Sequence, residues 1–104
     1  MIYSAKQLKY VLNWLIAGTR GGATRARIIV ALKNMPMNAN QLANYLGVDY
    51  RTIKHHLEIL EKNKIITSAG EKYGVTYFLT TIMEENYNIF EEIWEKFGKK
   101  EKRR

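Results

Sequence analysis

The sequence predicts a mainly α-helical domain that also carries one small β-hairpin, an α+β arrangement. Apolar residues recur at intervals of three and four along most of the chain, which is the helical period. Between residues 65 and 80 the pattern changes to short runs of branched and aromatic residues, which favour strands. The length of 104 residues suits a single core, and a hydrophobic content of 46% is sufficient to form it.

The composition excludes several classes of protein. The chain has no cysteine, which excludes a disulfide framework, a thiolate zinc site and a cysteine nucleophile. No apolar run approaches the roughly 18 residues that are needed to cross a bilayer. Lys6 and Lys9 interrupt what would be the apolar region of a secretory signal. We therefore expect a basic, soluble, intracellular domain.

Positive charge is concentrated in the body of the chain and at its end. Residues 1–82 have 11 basic and 4 acidic side chains, hence a net charge of +7. Residues 83–97 have one lysine against five glutamates, and residues 98–104 have five basic residues and one glutamate. A body of this charge attracts polyanions such as nucleic acid, although a surface that only maintains solubility is an alternative. We predict one domain over residues 1–97 and a disordered basic tail over residues 98–104.

The first predicted helix spans residues 4–17. Ser4 and Gln7 match a capping box, in which each side chain binds the other residue's backbone N–H. The apolar residues at positions 8, 11, 12 and 15 then form one stripe, and Gly18 ends the helix. Tyr10 and Trp14 lie beside the stripe, so this helix has more apolar surface than one contact face requires.

The segment GTRGGATRAR, residues 18–27, leads into a second helix that ends between Asn34 and Pro36. Three glycines and three arginines at a helix start are compatible with a phosphate site, because free backbone N–H groups point there. The spacing does not match a Walker loop. A flexible connector is the favoured interpretation of this segment.

A short helix and a longer one follow, separated by a turn at Gly47. Asn38 and Gln41 are predicted to cap the short helix, and Asp49 is predicted to cap the longer helix over residues 50–63. The inner face of the longer helix comprises Ile53, Leu57 and Leu60. The opposite face comprises Arg51, Lys54, His55 and Glu58.

The period then becomes that of extended structure. Residues 65–67 begin one strand, residues 75–80 form a second, and residues 68–74 form the polar hairpin loop between them. A last helix is predicted over residues 82–97 because apolar side chains recur there at spacings of four and three. They are Met83, Tyr87, Phe90, Trp94 and Phe97.

The strongest local signal is in residues 39–58, ANQLANYLGVDYRTIKHHLE. A helix-turn-helix needs a small residue where its two helices cross and a glycine where the turn requires positive φ. Ala43 and Gly47 meet these two needs. Together with the hairpin that follows, the pattern predicts a winged helix-turn-helix with an additional helix at each end.

The chain from about residue 21 to residue 81 resembles the winged helix-turn-helix of ArsR-like transcriptional regulators, particularly archaeal members. The matching stretches are TRARIIVAL (24–32), NQLANYLGVDYRTIKHHLEILEKNKII (40–66) and YGVTYFLT (73–80). The resemblance implies that the helix from Tyr50 enters the major groove of double-stranded DNA, with its N-terminal residues near base edges.

Carried across position by position, the resemblance assigns DNA contacts to residues of this helix. They are Tyr50, Arg51, Thr52, Lys54 and His55. Arg51 is best suited to base readout because its planar fork can donate twice to guanine, whereas Lys54 suits a phosphate. The remaining candidates are at the wing tip and near the second helix. They are Lys72, Tyr73, Arg20, Arg25 and Arg27.

Two of these residues have an alternative role within the chain. Arg25 can pair with a carboxylate of a neighbouring helix instead of contacting DNA, and Tyr50 can pack back on the turn. His56 stands where a helix-turn-helix usually has an aliphatic residue, and we predict a partly buried packing role for it. His55 and His56 point about 100° apart on a helix and are therefore not a chelating pair. We expect no metal and no cofactor.

The resemblance also implies a homodimer built from the first and last helices, residues 4–17 and 82–97. Large apolar side chains on these helices are the candidate interface, because such groups are favoured in interface cores. They are Leu8, Trp14, Leu15, Tyr87, Phe90, Trp94 and Phe97. The alternative is that these residues only complete the core of one chain.

We therefore predict a cytoplasmic, nucleoid-associated, dimeric repressor that reads a palindromic site, since two-fold symmetry places two recognition helices about one DNA turn apart. A winged-helix module for protein interaction and a sequence-indifferent chromatin-type protein are the alternatives. An enzyme is not expected, because no nucleophile is paired with a plausible base and no carboxylate pair is recognisable.

Overall fold

The computed structural model describes residues 3–72 and 74–102. In this part of the chain, helices and one two-stranded antiparallel sheet follow each other in the predicted order. The elements are α1 (Ala5–Leu12), a π-helical segment (Asn13–Ala17), α2 (Gly22–Asn34), α3 (Ala39–Leu46), α4 (Tyr50–Lys62), β1 (Ile66–Ala69), β2 (Thr76–Leu79), α5 (Thr81–Glu85) and α6 (Tyr87–Lys102). The predicted mainly helical fold with a hairpin wing is confirmed.

The first helix begins as predicted and ends differently. Ser4 Oγ accepts from the backbone N–H of Gln7 at 3.1 Å, and Gln7 Oε1 accepts from the backbone N–H of Ser4 at 2.9 Å. Its last turn, however, is the π-helical segment, in which the N–H of Gly18 donates to the carbonyl of Asn13 at 2.9 Å, five residues back. Such single-turn π-helical segments are uncommon in helices and occur often at functional sites.

The glycines before α2 form a packed turn rather than a flexible connector. Gly21 has a left-handed φ of 89°, which favours glycine. Gly22 is buried, and a Cβ at this position would lie 1.7 Å from the carbonyl oxygen of Ile16. The left-handed φ therefore explains Gly21 and close packing against the π-helical segment explains Gly22, so neither glycine requires a phosphate site.

The helix-turn-helix is formed by α3 and α4 as predicted. Asn38 and Gln41 make a reciprocal capping box at the start of α3, with both hydrogen bonds at 2.8 Å. Gly47 ends α3 with a φ of 67°, which confirms the predicted positive φ in the turn. The small residue Ala43 is buried between the two helices, together with the predicted inner face of α4.

The wing is a short hairpin that is also attached to the body. Ile66 pairs with Leu79 and Ala69 pairs with Thr76 at the two ends of the β1–β2 ladder. Met37, which precedes α3, forms an additional antiparallel bridge with Tyr77, and the N–H of Tyr77 donates to the Met37 carbonyl at 2.8 Å. This bridge was not predicted, and it connects the wing to the helix-turn-helix.

The C-terminal part differs from the prediction in two ways. The single helix predicted over residues 82–97 is divided at Asn86 into α5 and α6, and the Asn86 side chain donates to the carbonyl of Ile82 at 2.9 Å. The backbone of residues 98–102 continues α6, so the predicted disordered tail is wrong for these residues. Residues 103 and 104 lie outside the described part. No helix in the described ranges is long and apolar enough to cross a membrane.

Candidate nucleic-acid interface

The first two turns of α4 present predicted DNA-contacting residues to solvent. Asp49 Oδ2 accepts from the backbone N–H groups of Arg51 and Thr52, at 3.0 and 3.3 Å. This cap satisfies two of the N–H groups that a helix start leaves without a partner. Arg51, Thr52 and His55 are exposed, whereas Ile53 is completely buried on the other side of the helix. The cap and the buried face together hold the exposed face outward.

Tyr50 and Lys54 lie at a polar cleft where α3, α4 and the wing meet. The cleft has a volume of about 180 Å³. Its lining includes Asn40 at the start of α3, Tyr50 and Lys54 on α4, and Lys72 and Val75 on the wing. Tyr50 is 46% exposed, so it does not pack fully against the turn. Two lysines on different elements thus border one small cleft beside the exposed face of α4.

The remaining wing and arginine candidates lie in different environments. Lys72 is exposed, and Tyr73 lies outside the described residues. Arg20 is exposed in the glycine turn. Arg27 is exposed too, but its Nη2 donates to the carbonyl of Leu46 at 2.8 Å and so binds the end of α3. Arg27 is therefore engaged beside the helix-turn-helix turn, in addition to any contact with DNA.

The assignment of Arg25 to a DNA phosphate is wrong, because its side chain is buried in the chain and only 3% exposed. Its Nε donates to the carbonyl of Leu15 at 2.9 Å, and its Nη1 to Nδ1 of His56 at 3.2 Å. Its Nη2 donates to the carbonyl of Arg20 at 3.1 Å and to the hydroxyl of Thr19. None of these four acceptors is a carboxylate, so the alternative of an ion pair is not observed either. Burial lowers the pKa of Arg25, although a guanidinium remains charged in proteins.

His56 is a packing histidine, as predicted. It is 7% exposed on the inner side of α4, and its Nδ1 accepts from Arg25. The pKa of His56 is lowered by burial first, and then by the positive charges of Arg25 and of His55. The rings of His55 and His56 are 5.4 Å apart between centroids. Within the described ranges, no three His, Asp or Glu side chains are grouped as metal ligands would be.

The residues predicted for a dimer interface fall into two groups. Leu8, Leu15 and Phe90 are completely or almost completely buried inside the single chain, so their assignment to an interface between chains is wrong. They form the core in which α1, the π-helical segment and α6 pack on one another. The other four predicted residues remain at least partly accessible. They are Trp14, Tyr87, Trp94 and Phe97.

Sequence reasoning gave too little weight to Tyr10 and Asn40. Tyr10 is 81% exposed and Trp14 is 56% exposed, and both line a shallow apolar groove of about 550 Å³ with Val11 and Asn63. The signal for Tyr10 was present, because it lies off the apolar stripe of the first helix. Asn40 reaches the cleft only because α3 crosses α4 there, and a linear pattern does not show that proximity.

Comparison with known proteins supports a winged-helix regulator. The family model of the methanogenesis regulatory protein FilR1, N-terminal domain, matches residues 16–84. Transcriptional repressor SdpR of Bacillus subtilis (strain 168) is 30% identical over 66 residues, which cover 62% of this chain and 73% of that protein. A probable transcriptional regulator from Pseudomonas aeruginosa shares 24% identity over 86% of this chain and 73% of that chain, with a TM-score of 0.60. Reduced HlyU from Vibrio cholerae N16961 shares 19% sequence identity over 88% of this chain and 90% of that chain, with a TM-score of 0.63. These two solved structures share the fold.

Proposed function

Because this chain belongs to the family of the FilR1 N-terminal domain, we propose that it is a winged-helix transcriptional regulator that binds double-stranded DNA through α4. The observation that carries the proposal is the capped first turn of α4, which holds Arg51 and Thr52 in solvent. A major groove about 12 Å wide accepts a helix, and the N-terminal residues of that helix then reach base edges. The net charge of +7 favours the encounter with a polyanion.

We assign direct base readout to Arg51. Its exposed guanidinium can donate two hydrogen bonds to O6 and N7 of one guanine, a geometry that a lysine does not provide. Thr52 and His55 lie on the same exposed side and complete the contact with base edges or with a thymine methyl group. We assign to Tyr50, which is 46% exposed, a contact with the sugar-phosphate backbone at the edge of the groove.

We assign phosphate binding to the cleft between α3, α4 and the wing. Lys54 and Lys72 border it from two elements, and Asn40 adds an uncharged donor. Backbone contacts of this kind fix the register of a protein on the duplex without reading its sequence. Arg20 is a further phosphate contact from the glycine turn, and the resemblance also assigns a DNA contact to Tyr73, which lies outside the described residues.

We further propose an ArsR-like regulator that acts as a homodimeric repressor by occluding its site. The matching stretches in residues 24–32, 40–66 and 73–80 support the subtype. The groove with Tyr10 and Trp14 supports the dimer, because apolar aromatic side chains of this size are favoured at interface centres. The half-buried Trp94 and Phe97 on α6 are the second part of this surface. Two-fold symmetry then requires a palindromic site.

The proposed base readout is tested by competition titrations with the purified chain, using one bound duplex and variants of its bases. Arg51→Ala is expected to lose discrimination at one base pair, worth roughly 1–3 kcal/mol, and Arg51→Lys is not expected to restore it. Lys62→Ala, at the other end of α4, is the matched control and is expected to keep full discrimination. If Arg51→Ala has the same base preferences as the unsubstituted chain, the assignment of Arg51 is wrong.

A salt titration tests the phosphate cleft separately. Lys54→Ala is expected to weaken binding to every duplex alike and to reduce the slope of log affinity against log salt by about 0.9, the contribution of one neutralised phosphate. A selective loss for some duplexes, with an unchanged slope, would show that Lys54 reads bases instead.

A further inference from the structure

The buried Arg25 guanidinium connects three separate parts of the chain. It leaves α2 and donates to the Leu15 carbonyl of the π-helical segment, to Thr19 and Arg20 of the glycine turn, and to His56 of α4. Burying a charge without a carboxylate partner is unfavourable unless its hydrogen bonds are satisfied. Here all three guanidinium nitrogens have acceptors, so their hydrogen bonds offset the cost of burying the charge. These hydrogen bonds form only when α2, the π-helical segment, the glycine turn and α4 are correctly placed relative to one another.

The His56 ring is held from two sides. Nδ1 accepts from Arg25, and Gly21 approaches so closely that a Cβ there would lie 2.7 Å from Cε1 of the ring. His56 is one helical turn after Thr52 and therefore belongs to the same rigid rod as the residues proposed to read DNA. A change in the contact at His56 would rotate or shift the exposed first turn of α4.

We propose that Arg25 is a positioning residue for DNA binding, which fixes the orientation of α4 against the π-helical segment and the glycine turn by binding the His56 ring. The inference rests on the proposed function, because it assumes that α4 is the DNA-reading helix. Arg25 itself touches no DNA. It acts through His56, and its substitution should therefore change the fit of α4 to a preferred site without removing a phosphate contact.

The chemistry of this contact makes it sensitive to protonation. A guanidinium can only donate, so Nδ1 of His56 must be unprotonated to accept from it. A proton on Nδ1 removes the acceptor and leaves two cations in contact inside the chain. The charged or titratable groups that face His56 are Arg25 from α2 and His55 from α4, and the glycine turn presents only the backbone of Gly21. Acidification should therefore release α4 from Arg25.

The chain contains two histidines, so the pH response of His56 can be isolated. His55 is exposed on the proposed DNA-binding face of α4, so both proteins compared should carry His55→Gln, which leaves position 56 as the only one that differs. The first protein keeps His56, and the second carries His56→Gln in addition to His55→Gln. The side-chain oxygen of this glutamine is an acceptor that does not titrate. Affinity for one bound duplex is measured between pH 8 and pH 5.

We expect the protein with His56 to lose about tenfold in affinity over this range, at pH values below about 6.5, since one proton changes an equilibrium by at most tenfold per pH unit. The protein with His56→Gln should lose less than twofold. Identical profiles for the two proteins would overturn the inference. In parallel, Arg25→Gln, which removes the charge, should lower affinity for the preferred duplex with an unchanged salt slope. A slope lowered by about 0.9 would instead mean that Arg25 contacts a phosphate.

A measurement without DNA separates this inference from the proposed function. The protection factors of α4 amides, which correct for the intrinsic slowing of exchange in acid, should fall relative to those of the other helices as the pH decreases, and only when His56 is present. If no duplex is bound at pH 8 but exchange responds as expected, the proposed function fails and the contact between Arg25 and α4 stands. If DNA is bound but neither affinity nor exchange depends on His56, the positioning role fails alone.

Discussion

At the scale of single residues, surroundings decide what each arginine does. Arg51 and Arg25 carry the same guanidinium group. Arg51 lies in solvent on a capped helix turn, where its donors are available to a ligand. Arg25 is buried, and all of its nitrogens donate within the chain. Only Arg51 can therefore serve as a base-reading group, and Arg25 contributes through the geometry that it maintains.

The lowered pKa of His56 predicts a loss of stability in acid. The unfolded chain has a His56 with the ordinary pKa near 6.5, whereas the folded chain protonates it only at lower pH. Between these two values the unfolded state binds the additional proton, so the free energy of unfolding decreases as the pH falls. The contribution of His56 to this free energy should be constant above about pH 7.5. Urea unfolding at several pH values is the measurement, with His56→Gln as the comparison.

A similar decrease for the unsubstituted chain and for His56→Gln would mean that other groups cause the acid sensitivity. His55→Gln is the matched control, because His55 is exposed on the same helix. The free energy of unfolding of His55→Gln should still decrease in acid, because this variant retains His56.

The misassignment of Arg25 has a physical lesson. Its position, three, four and seven residues before Ile28, Ile29 and Leu32, already places it on the buried face of α2. The arginine was nevertheless assigned to DNA because charged side chains are rarely buried. Three of the four acceptors that make burial possible lie five to ten residues before Arg25 and the fourth is His56 on α4, and two of them are backbone carbonyls that no residue type reveals.

At the scale of secondary-structure elements, the helix-turn-helix depends on its cap and its turn. The Asp49 carboxylate accepts two N–H groups at the start of α4. Asp49→Ala should lower the free energy of unfolding by about 1 kcal/mol, since replacing a good N-cap by alanine typically costs this much. Asp49→Asn should retain most of the stability because asparagine caps equally well. Denaturant unfolding of both variants measures the difference, and equal losses would contradict a capping role.

The turn between α3 and α4 gives a separate prediction. Gly47→Ala should lower the free energy of unfolding by about 1–2 kcal/mol, the cost of a left-handed conformation for a residue with a Cβ. A Cβ at Gly47 would meet no atom within 4 Å, so the effect is one of backbone conformation alone. Gly74→Ala is the control, because Gly74 is equally open and does not have a positive φ. Thermal unfolding checks both, and a loss in Gly74→Ala as large as in Gly47→Ala would contradict this explanation.

Element types and order could be predicted, because apolar periodicity, caps and glycines are local signals. The π-helical segment could not, since it depends on how Ile16 packs against Gly22. The helical backbone at residues 98–102 was also missed. Lysine and glutamate are good helix formers, and basic residues near a helix C-terminus interact favourably with its dipole. A charged run therefore indicates exposure and does not by itself indicate disorder.

At the scale of the whole molecule, acidic side chains are concentrated in one stretch, residues 83–97. Five glutamates lie within residues 84–95 of α5 and α6, and Lys33 of α2 contacts Glu84 at 2.8 Å between exposed side chains. Exposed ion pairs of this kind contribute little to stability. Burial of Tyr87, together with Glu91 and Glu84, raises the pKa of its hydroxyl. The acidic stretch 83–97, with its net charge of −4, would thus be repelled by a phosphate backbone and leave α4 and the wing to approach it.

The proposed dimer can be tested on its most exposed aromatic residues. Trp14→Glu should weaken self-association by tenfold or more, because an aromatic side chain that the proposed interface would bury is replaced by a charge. It should leave the fold intact, since Trp14 is largely exposed in the single chain. Sedimentation equilibrium measures the change. Met35→Glu, another exposed apolar position, is the control, and an equal effect of both substitutions would contradict an interface at Trp14.

The most direct test of DNA reading by α4 is a selection of bound sequences from a random duplex library, performed in parallel with the full chain and with Arg51→Ala. We predict that the full chain enriches a palindromic consensus whose half-sites lie one helical turn apart, and that Arg51→Ala loses preference at one symmetric pair of guanines. If the full chain enriches no sequence, or if both proteins enrich the same consensus, DNA reading by α4 through Arg51 is contradicted.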